Sequence, residues 1–194
     1  MLRIALESVA DSMKKAKKDI FMVKNFAFSI LFFQAIICAQ PIITSFNYQT
    51  DMPAVEQILK KEWHTLFLTP AYDQNLISII FKDQRPGDIT MHHKRLFITT
   101  LKENTTLLGF ITYYQADAIT GHVELLAIDS PYKGLGYGKK LITYVQDWFS
   151  RLGCKYIQLY VYPNNNPAIQ FYKHLGFSIK KMFPAYFLLS KQIG

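Results

Sequence analysis

Residues His122 to Leu141 read HVELLAIDSPYKGLGYGKKL. An apolar run, HVELLAI, gives way to Gly134, Gly136 and Gly138, and then to Lys139 and Lys140. The run reads as a strand. After it, YGKKLITYVQDWFSRLG (Tyr137 to Gly153) sets Leu141, Val145, Trp148 and Leu152 at helical spacing, with Gly153 past the end. The glycines therefore lie where a strand turns into a helix. Glycine permits positive φ and close backbone approach, so successive N–H groups can converge on one concavity at the helix start. The helix N-terminus carries about half a unit of positive charge, and Lys133, Lys139 and Lys140 add to it. Such a concavity suits an anion. It is not a Walker loop, which needs Gly-Lys-Ser/Thr, nor a dinucleotide fingerprint, which needs G-x-G-x-x-G. Taken alone, the loop also reads as a tight structural turn with no ligand.

The flanking chain alternates strands and helices. Towards the C-terminus, YIQLYVY is a strand and NNNPAIQFYKHLGF a short helix, with Asn166 as cap, Pro167 in its first position and Gly176 closing it. AYFLLSK is a last strand. Towards the N-terminus, IITSFNY reads as a first strand. DMPAVEQILKKEW reads as a helix capped by Asp51, with Pro53 in its first turn and Val55, Ile58, Leu59 and Trp63 on one face. AYDQNLISIIF is a second helix, and RLFITTL and TLLGFITYY flank the hairpin turn KENT. No repeat or linker interrupts the chain after residue 41.

Two blocks then stand together. Lys133-x-x-Gly136-x-Gly138 occupies a pattern usually written Arg/Gln-x-x-Gly-x-Gly/Ala. Asn165, Ala168, Tyr172, Gly176 and Phe177 follow as Asn-x-x-Ala, Tyr, Gly-Phe. In this order and spacing the chain, from about residue 42 to 192, resembles the GNAT superfamily of acetyl-CoA-dependent N-acetyltransferases. The resemblance covers none of residues 1–40. It implies an α/β fold: a mixed, mostly antiparallel sheet of about six to seven strands with about four helices, splayed at the coenzyme site. It places the coenzyme's pyrophosphate on the loop around Gly134, Leu135, Gly136, Tyr137, Gly138 and Lys139, and the pantetheine arm along Leu126, Ala127 and Ile128. It gives Asn165, with Ala168, the role of touching that arm or ordering its loop. Lys133 keeps the charge of the usual Arg but loses its fork.

Acyl transfer from a thioester to an amine has three needs. A lysine-like amine, with pKa about 10.4, must be deprotonated at a cost of roughly 4–5 kcal/mol at pH 7. The developing oxyanion needs a donor, and the resemblance implies the amide of Ala127 or Ile128. The departing thiolate takes a proton, and Tyr172 matches the usual acid, although Ala168, Phe171, Tyr172 and Leu175 also form an apolar helix face. His122 and Glu124 share one strand face and are the candidates for base, directly or through water; a plain strand-edge role is the alternative. Tyr113, Tyr114, Tyr186 and Trp63 are either acceptor-pocket walls or core. Trp63 to His93, where such enzymes vary their acceptor site, has mixed charge and names no substrate. Cys154, at a helix–strand junction, is expected to be buried, so transfer is expected to be direct, within a ternary complex. The reading is therefore an acetyltransferase acting on a primary amine of a small molecule, peptide or protein. The alternatives are a module that binds CoA or a partner without catalysis, and a basic surface-binding protein.

The composition agrees. Of 194 residues, 50% are hydrophobic and 19% charged, which excludes global disorder and suits one domain. The net charge of +8 divides unequally: residues 40–194 hold sixteen Lys/Arg against eleven Asp/Glu. That suits an anionic ligand, and no basic run interleaved with aromatics argues for nucleic acid beyond the N-terminus. Two cysteines and five histidines form no disulfide framework and no metal-ligand spacing. Residues 1–40 form a separate segment, ahead of a 41–194 domain. Lys14, Lys15, Lys17, Lys18 and Lys24 precede FAFSILFFQAIICA, Phe26 to Ala39. That stretch is shorter than the about 20 residues of a membrane span and fits a signal ending near Ala39 or an anchor reaching through residues 14–43. A helix packed on the domain is the alternative. Localisation divides accordingly between a cytoplasmic, anchored domain and an exported one, and the sequence leaves monomer and homodimer open.

Overall fold

The computed structural model describes residues 40–67, 72–81 and 96–194. The signal-like or anchor segment lies outside the described residues but for its last few, as do His92 and His93. Pro41 to Gly194 form one unit. Its strands are β1 (Ile42–Ser45), β2 (Phe97–Glu103), β3 (Thr106–Asp117), β4 (Thr120–Ile128), β5 (Tyr156–Val161), β6 (Ser178–Met182) and β7 (Phe187–Gln192). The helices among the described residues are α1 (Tyr48–Leu66), α2 (Gln74–Ile80), α3 (Tyr137–Arg151) and α4 (Asn166–His174). One sheet runs β1-β2-β3-β4-β5-β7-β6. Every neighbouring pair is antiparallel except β4 and β5, which α3 joins as a crossover. The α/β class and the mostly antiparallel sheet are those expected.

Each sheet face is covered by one long helix. Leu141, Ile142, Val145 and Phe149 of α3 pack with Leu108, Ile111, Val123, Ile157 and Leu159 on one face. Met52, Val55, Ile58, Leu59 and Trp63 of α1 pack with Ile98, Phe110, Leu125 and Ala127 on the other. The α1 stripe is the one its spacing predicts. On α3 the prediction needs correction: Leu152 is exposed, and Ile142 and Phe149 complete the buried face instead. Leu152 is the cap residue, where the helix has already ended.

Both cap assignments shift towards the N-terminus. Asn47, not Asp51, caps α1: its side chain accepts from the N–H groups of Gln49 and Thr50. Asp51 instead reaches back to accept from the Asn47 N–H at 3.0 Å and pairs with Lys102 at 2.6 Å. Asn165, not Asn166, caps α4, accepting from the Ala168 N–H at 3.2 Å. The mostly polar β6 had no strand pattern in the sequence. It lies at the sheet edge with its residues largely exposed, so nothing imposes alternation on it.

The feature that positions a site is a break in the sheet. The β4–β5 ladder pairs only Thr120 to Val123 with Tyr156 to Leu159. Beyond it, β4 runs on to Ile128 against β3, and β5 continues with β7. The register of β3 against β4 slips at that point: Thr112 pairs with Leu125 and Tyr113 with Val123, leaving Glu124 as the extra residue of a bulge. A bulge bends and twists its strand, so β4 turns away from β5 immediately after its last paired residue. The buried Leu125 N–H is satisfied at 3.0 Å by the Thr112 hydroxyl.

Candidate active site

The open edge of β4 leads without interruption into the glycine loop. Asp129 N–H donates to the Leu108 carbonyl of β3 at 2.9 Å. Backbone groups alternate direction along a strand, so the Ala127 N–H also faces β3, while those of Leu126 and Ile128 face the edge that β5 has left. Of the two amides expected to meet an oxyanion, Ile128 is the one on the open side. The side chains follow suit: Ala127 is buried beneath α1, whereas Leu126 and Ile128 pack half-buried on the α3 face.

After Ile128, the segment Ser130–Tyr132 makes one 3-10 turn, with Asp129 accepting from the Ser130 N–H at 2.9 Å. Gly134 and Gly136 then take φ of 79° and 82°, the left-handed region that glycine enters without a Cβ penalty. Gly136 is the cap residue of α3, and among the described residues no side chain caps that helix. The first helical bond runs from Lys140 N–H to the Gly136 carbonyl at 3.0 Å. The amides of Tyr137, Gly138 and Lys139 therefore precede the helical ladder, at the positive end of a fifteen-residue helix. Open space surrounds Gly134 and Gly136, and Leu135 is 60% exposed. At Gly138 a Cβ would stand 3.0 Å from the Phe171 ring, so glycine there lets α4 approach the loop.

The three lysines part company. Lys139 is exposed, Lys140 donates to the Pro41 carbonyl, and Lys133 forms an ion pair with Glu62. Glu62, in the last turns of α1, is only 5% exposed and also accepts from the Ser130 hydroxyl at 2.6 Å. Beside it, Lys61 pairs with Asp129 at 3.0 Å. The two ammonium groups are alike, with Lys61 52% and Lys133 49% exposed, so both keep water and the Lys61 pair contributes under about 1 kcal/mol. The links differ in the carboxylate, since the Glu62 side chain is 6% exposed and that of Asp129 17%. Sequence reasoning missed Glu62, although a signal existed: it lies three residues after Leu59 and four after Ile58, a carboxylate on the apolar stripe.

On the other side of the break, Asn165 has both ends of its amide engaged. Its oxygen caps Ala168, and its nitrogen donates to the Thr65 carbonyl of α1 at 2.8 Å. Tyr172, on α4, is 9% exposed and packs on Phe171 and Phe177. Burial pushes its phenol well above the ordinary tyrosine value, so it is a neutral O–H at physiological pH.

His122 and Glu124 share a face, as expected, because the bulge leaves their side chains on the α1 side. His122 Nε2 stands 3.7 Å from a Glu124 oxygen. The imidazole is 5% exposed, with the rings of Tyr114 and Tyr160 at 5.1 and 5.0 Å, and Tyr186 stacks edge-on against Tyr160. Burial, with the charge of Glu124 next, pushes the Tyr114 phenol up to about 12. Of the aromatic residues considered for an acceptor pocket, Trp63 and Tyr113 are core, while Tyr114 and Tyr186 are half-buried: Tyr114 packs on His122, and Tyr186 packs on Tyr160 behind it. Tyr160 was not foreseen. Cys154 is 3% exposed and its thiol is pushed up by burial, which disqualifies it as a nucleophile. No group of three or more His, Cys, Asp or Glu among the described residues is arranged to hold a metal ion.

Comparison with known proteins gives the family and the fold. The model of the acetyltransferase (GNAT) family matches residues 52–177. An uncharacterized N-acetyltransferase of Methanocaldococcus jannaschii is 32% identical over 147 residues, 75% of this chain and 83% of that protein. N-alpha-acetyltransferase 30 of Saccharomyces cerevisiae is 35% identical over 69 residues, which span 35% of this chain and only 39% of the yeast protein. Among solved structures, PaiA N-acetyltransferase of Thermoplasma acidophilum in complex with coenzyme A has the same fold. Its TM-score is 0.64 at 16% identity, over 79% of this chain and 99% of that one.

Proposed function

Since the chain belongs to the acetyltransferase (GNAT) family, we propose that it moves an acetyl group from acetyl-CoA directly to a primary amine of a small molecule, peptide or protein. One observation carries the reading. Among the described residues, the edge of β4 that β5 leaves is followed, after one 3-10 turn and the glycine loop, by an α3 N-terminus that no side chain caps. Acetyl-CoA suits these residues: the amides of Tyr137, Gly138 and Lys139 meet the chemistry of a diphosphate. The Leu126 and Ile128 main chain offers donors and acceptors to an amide-bearing arm.

Acetyl-CoA supplies an activated acyl group as a thioester. The chain's residues do the rest. Ile128 N–H lies on the edge where a developing oxyanion would need it. Tyr172, a neutral phenol, is the proton donor we assign to the departing thiolate, although its burial makes it a weaker acid than a free tyrosine. His122 and Glu124, among Tyr114, Tyr160 and Tyr186, form the group able to take a proton from an ammonium and to hold it beside π faces. Among the described residues no exposed cysteine stands ready for an acyl-enzyme, which supports direct transfer.

Calorimetry with acetyl-CoA, followed by a thiol-release assay over a panel of primary amines, tests the proposal. Binding with acceptor-dependent thiol release is expected. Binding without release for any amine would make the domain a CoA-binding module, and absence of binding would end the coenzyme reading.

A further inference from the structure

The last turns of α1 hold both loops that border the sheet break. Glu62 binds Ser130 and Lys133, Lys61 binds Asp129, and the Thr65 carbonyl receives Asn165. These residues span 61–65 on one element, and they reach the two segments, 129–133 and 165–168, on which the coenzyme reading depends.

We infer that Glu62 is a positioning residue for the anion loop, and that Lys133 serves that loop by neutralising Glu62 rather than by touching the coenzyme. The inference rests on the coenzyme reading above. Three observations support it. The Lys133 ammonium is committed to Glu62, next to the loop it introduces. The Glu62 carboxylate is buried and keeps little solvent to offset its charge, while the Lys133 side chain that meets it is half exposed. Its second oxygen is met by Ser130, which begins the turn into Gly134. A bare carboxylate at this place would repel a diphosphate bound by the adjoining amides and would release the turn that presents them. The arrangement accounts for a lysine in a position where a forked side chain is not required: a single ammonium suffices to meet one carboxylate oxygen when a hydroxyl meets the other.

The assignment predicts an asymmetry that a structural role alone, or a direct phosphate contact, would not produce. Lys133→Met should weaken CoA binding, measured by calorimetry on the full chain, about 30-fold, because it leaves Glu62 uncompensated. Adding Glu62→Gln to that variant should restore affinity to within about 5-fold of the wild type, since the carboxamide still meets Ser130 and carries no charge. Recovery in the double variant sustains the inference. A double variant as weak as Lys133→Met, or weaker, shows Lys133 binding the coenzyme itself and overturns it, as does wild-type affinity in Lys133→Met. Should the double variant fail to fold, Ser130→Ala provides the second measurement, because Ser130 is exposed and its hydroxyl is committed to Glu62. About 3-fold weaker CoA binding sustains the inference, and unchanged binding overturns it. If the wild type itself binds no CoA, the coenzyme reading fails and this role falls with it. If the wild type binds and the rescue is missing, only the role of Glu62 falls.

Discussion

Tyr172, the proposed proton donor, is also a buried packing residue of α4. Desolvation favours its neutral form, so the phenol stays protonated above the ordinary value of 10.0. Any folding stability linked to it is therefore complete below pH 10 and is lost only as pH rises through the higher folded value. Tyr172→Phe keeps the ring packing on Phe171 and Phe177 and removes the proton donor. We expect kcat to fall roughly 10²- to 10³-fold with CoA affinity unchanged, and an unchanged kcat would reduce Tyr172 to packing. Gly136 offers a different test at the same scale. At φ 82° with open space around it, an added Cβ meets no atom, so only backbone strain remains. Gly136→Ala should cost about 1–2 kcal/mol, visible as a thermal midpoint lowered by roughly 3–6 °C. The loop glycines were legible because tolerance of positive φ is a property of the residue itself. Glu62 and Tyr160 were not, because what they touch lies on other elements.

At the scale of elements, the caps explain the small errors of sequence reading. Asn47 and Asp51 both qualify as caps, as do Asn165 and Asn166. The sequence cannot choose between them, because the choice depends on where the chain leaves the preceding strand. Asp51 is then free to hold α1 to β2 through Lys102. Burial alone would raise its carboxyl, but the Lys102 ammonium, the Asn47 N–H and the Thr50 hydroxyl outweigh it and leave the group below the ordinary 3.8. The stabilisation is thus present above that value and is lost as pH falls through the lower folded one. Asp51→Asn should remove about 2 kcal/mol at pH 7 and flatten the acid limb of the stability profile, measured by urea unfolding. An acid limb identical to the wild type would assign it to other carboxylates. Asn165→Ala should cost about 1 kcal/mol or more, since it loses both the α4 cap and the link to Thr65.

At the scale of the whole molecule, one bulge coincides with the parting of β4 from β5. Because the proposed site is assembled in the folded state alone, acetyl-CoA at 100 times its Kd should add about 2.7 kcal/mol of stability. For a chain of this length that is a rise of roughly 5–10 °C in thermal midpoint. A midpoint indifferent to acetyl-CoA would count against the coenzyme site. The sequence by itself determined the α/β class, the strand–glycine loop–helix, and the two blocks that resemble the family. All of these rest on local periodicity and on what glycine and asparagine allow the main chain to do. Tertiary structure alone decided that β4 leaves β5 after Val123, that Lys133 turns to Glu62, and that His122 is enclosed by Tyr114 and Tyr160. Those facts depend on register and on contacts between residues far apart in the chain, which no local pattern encodes.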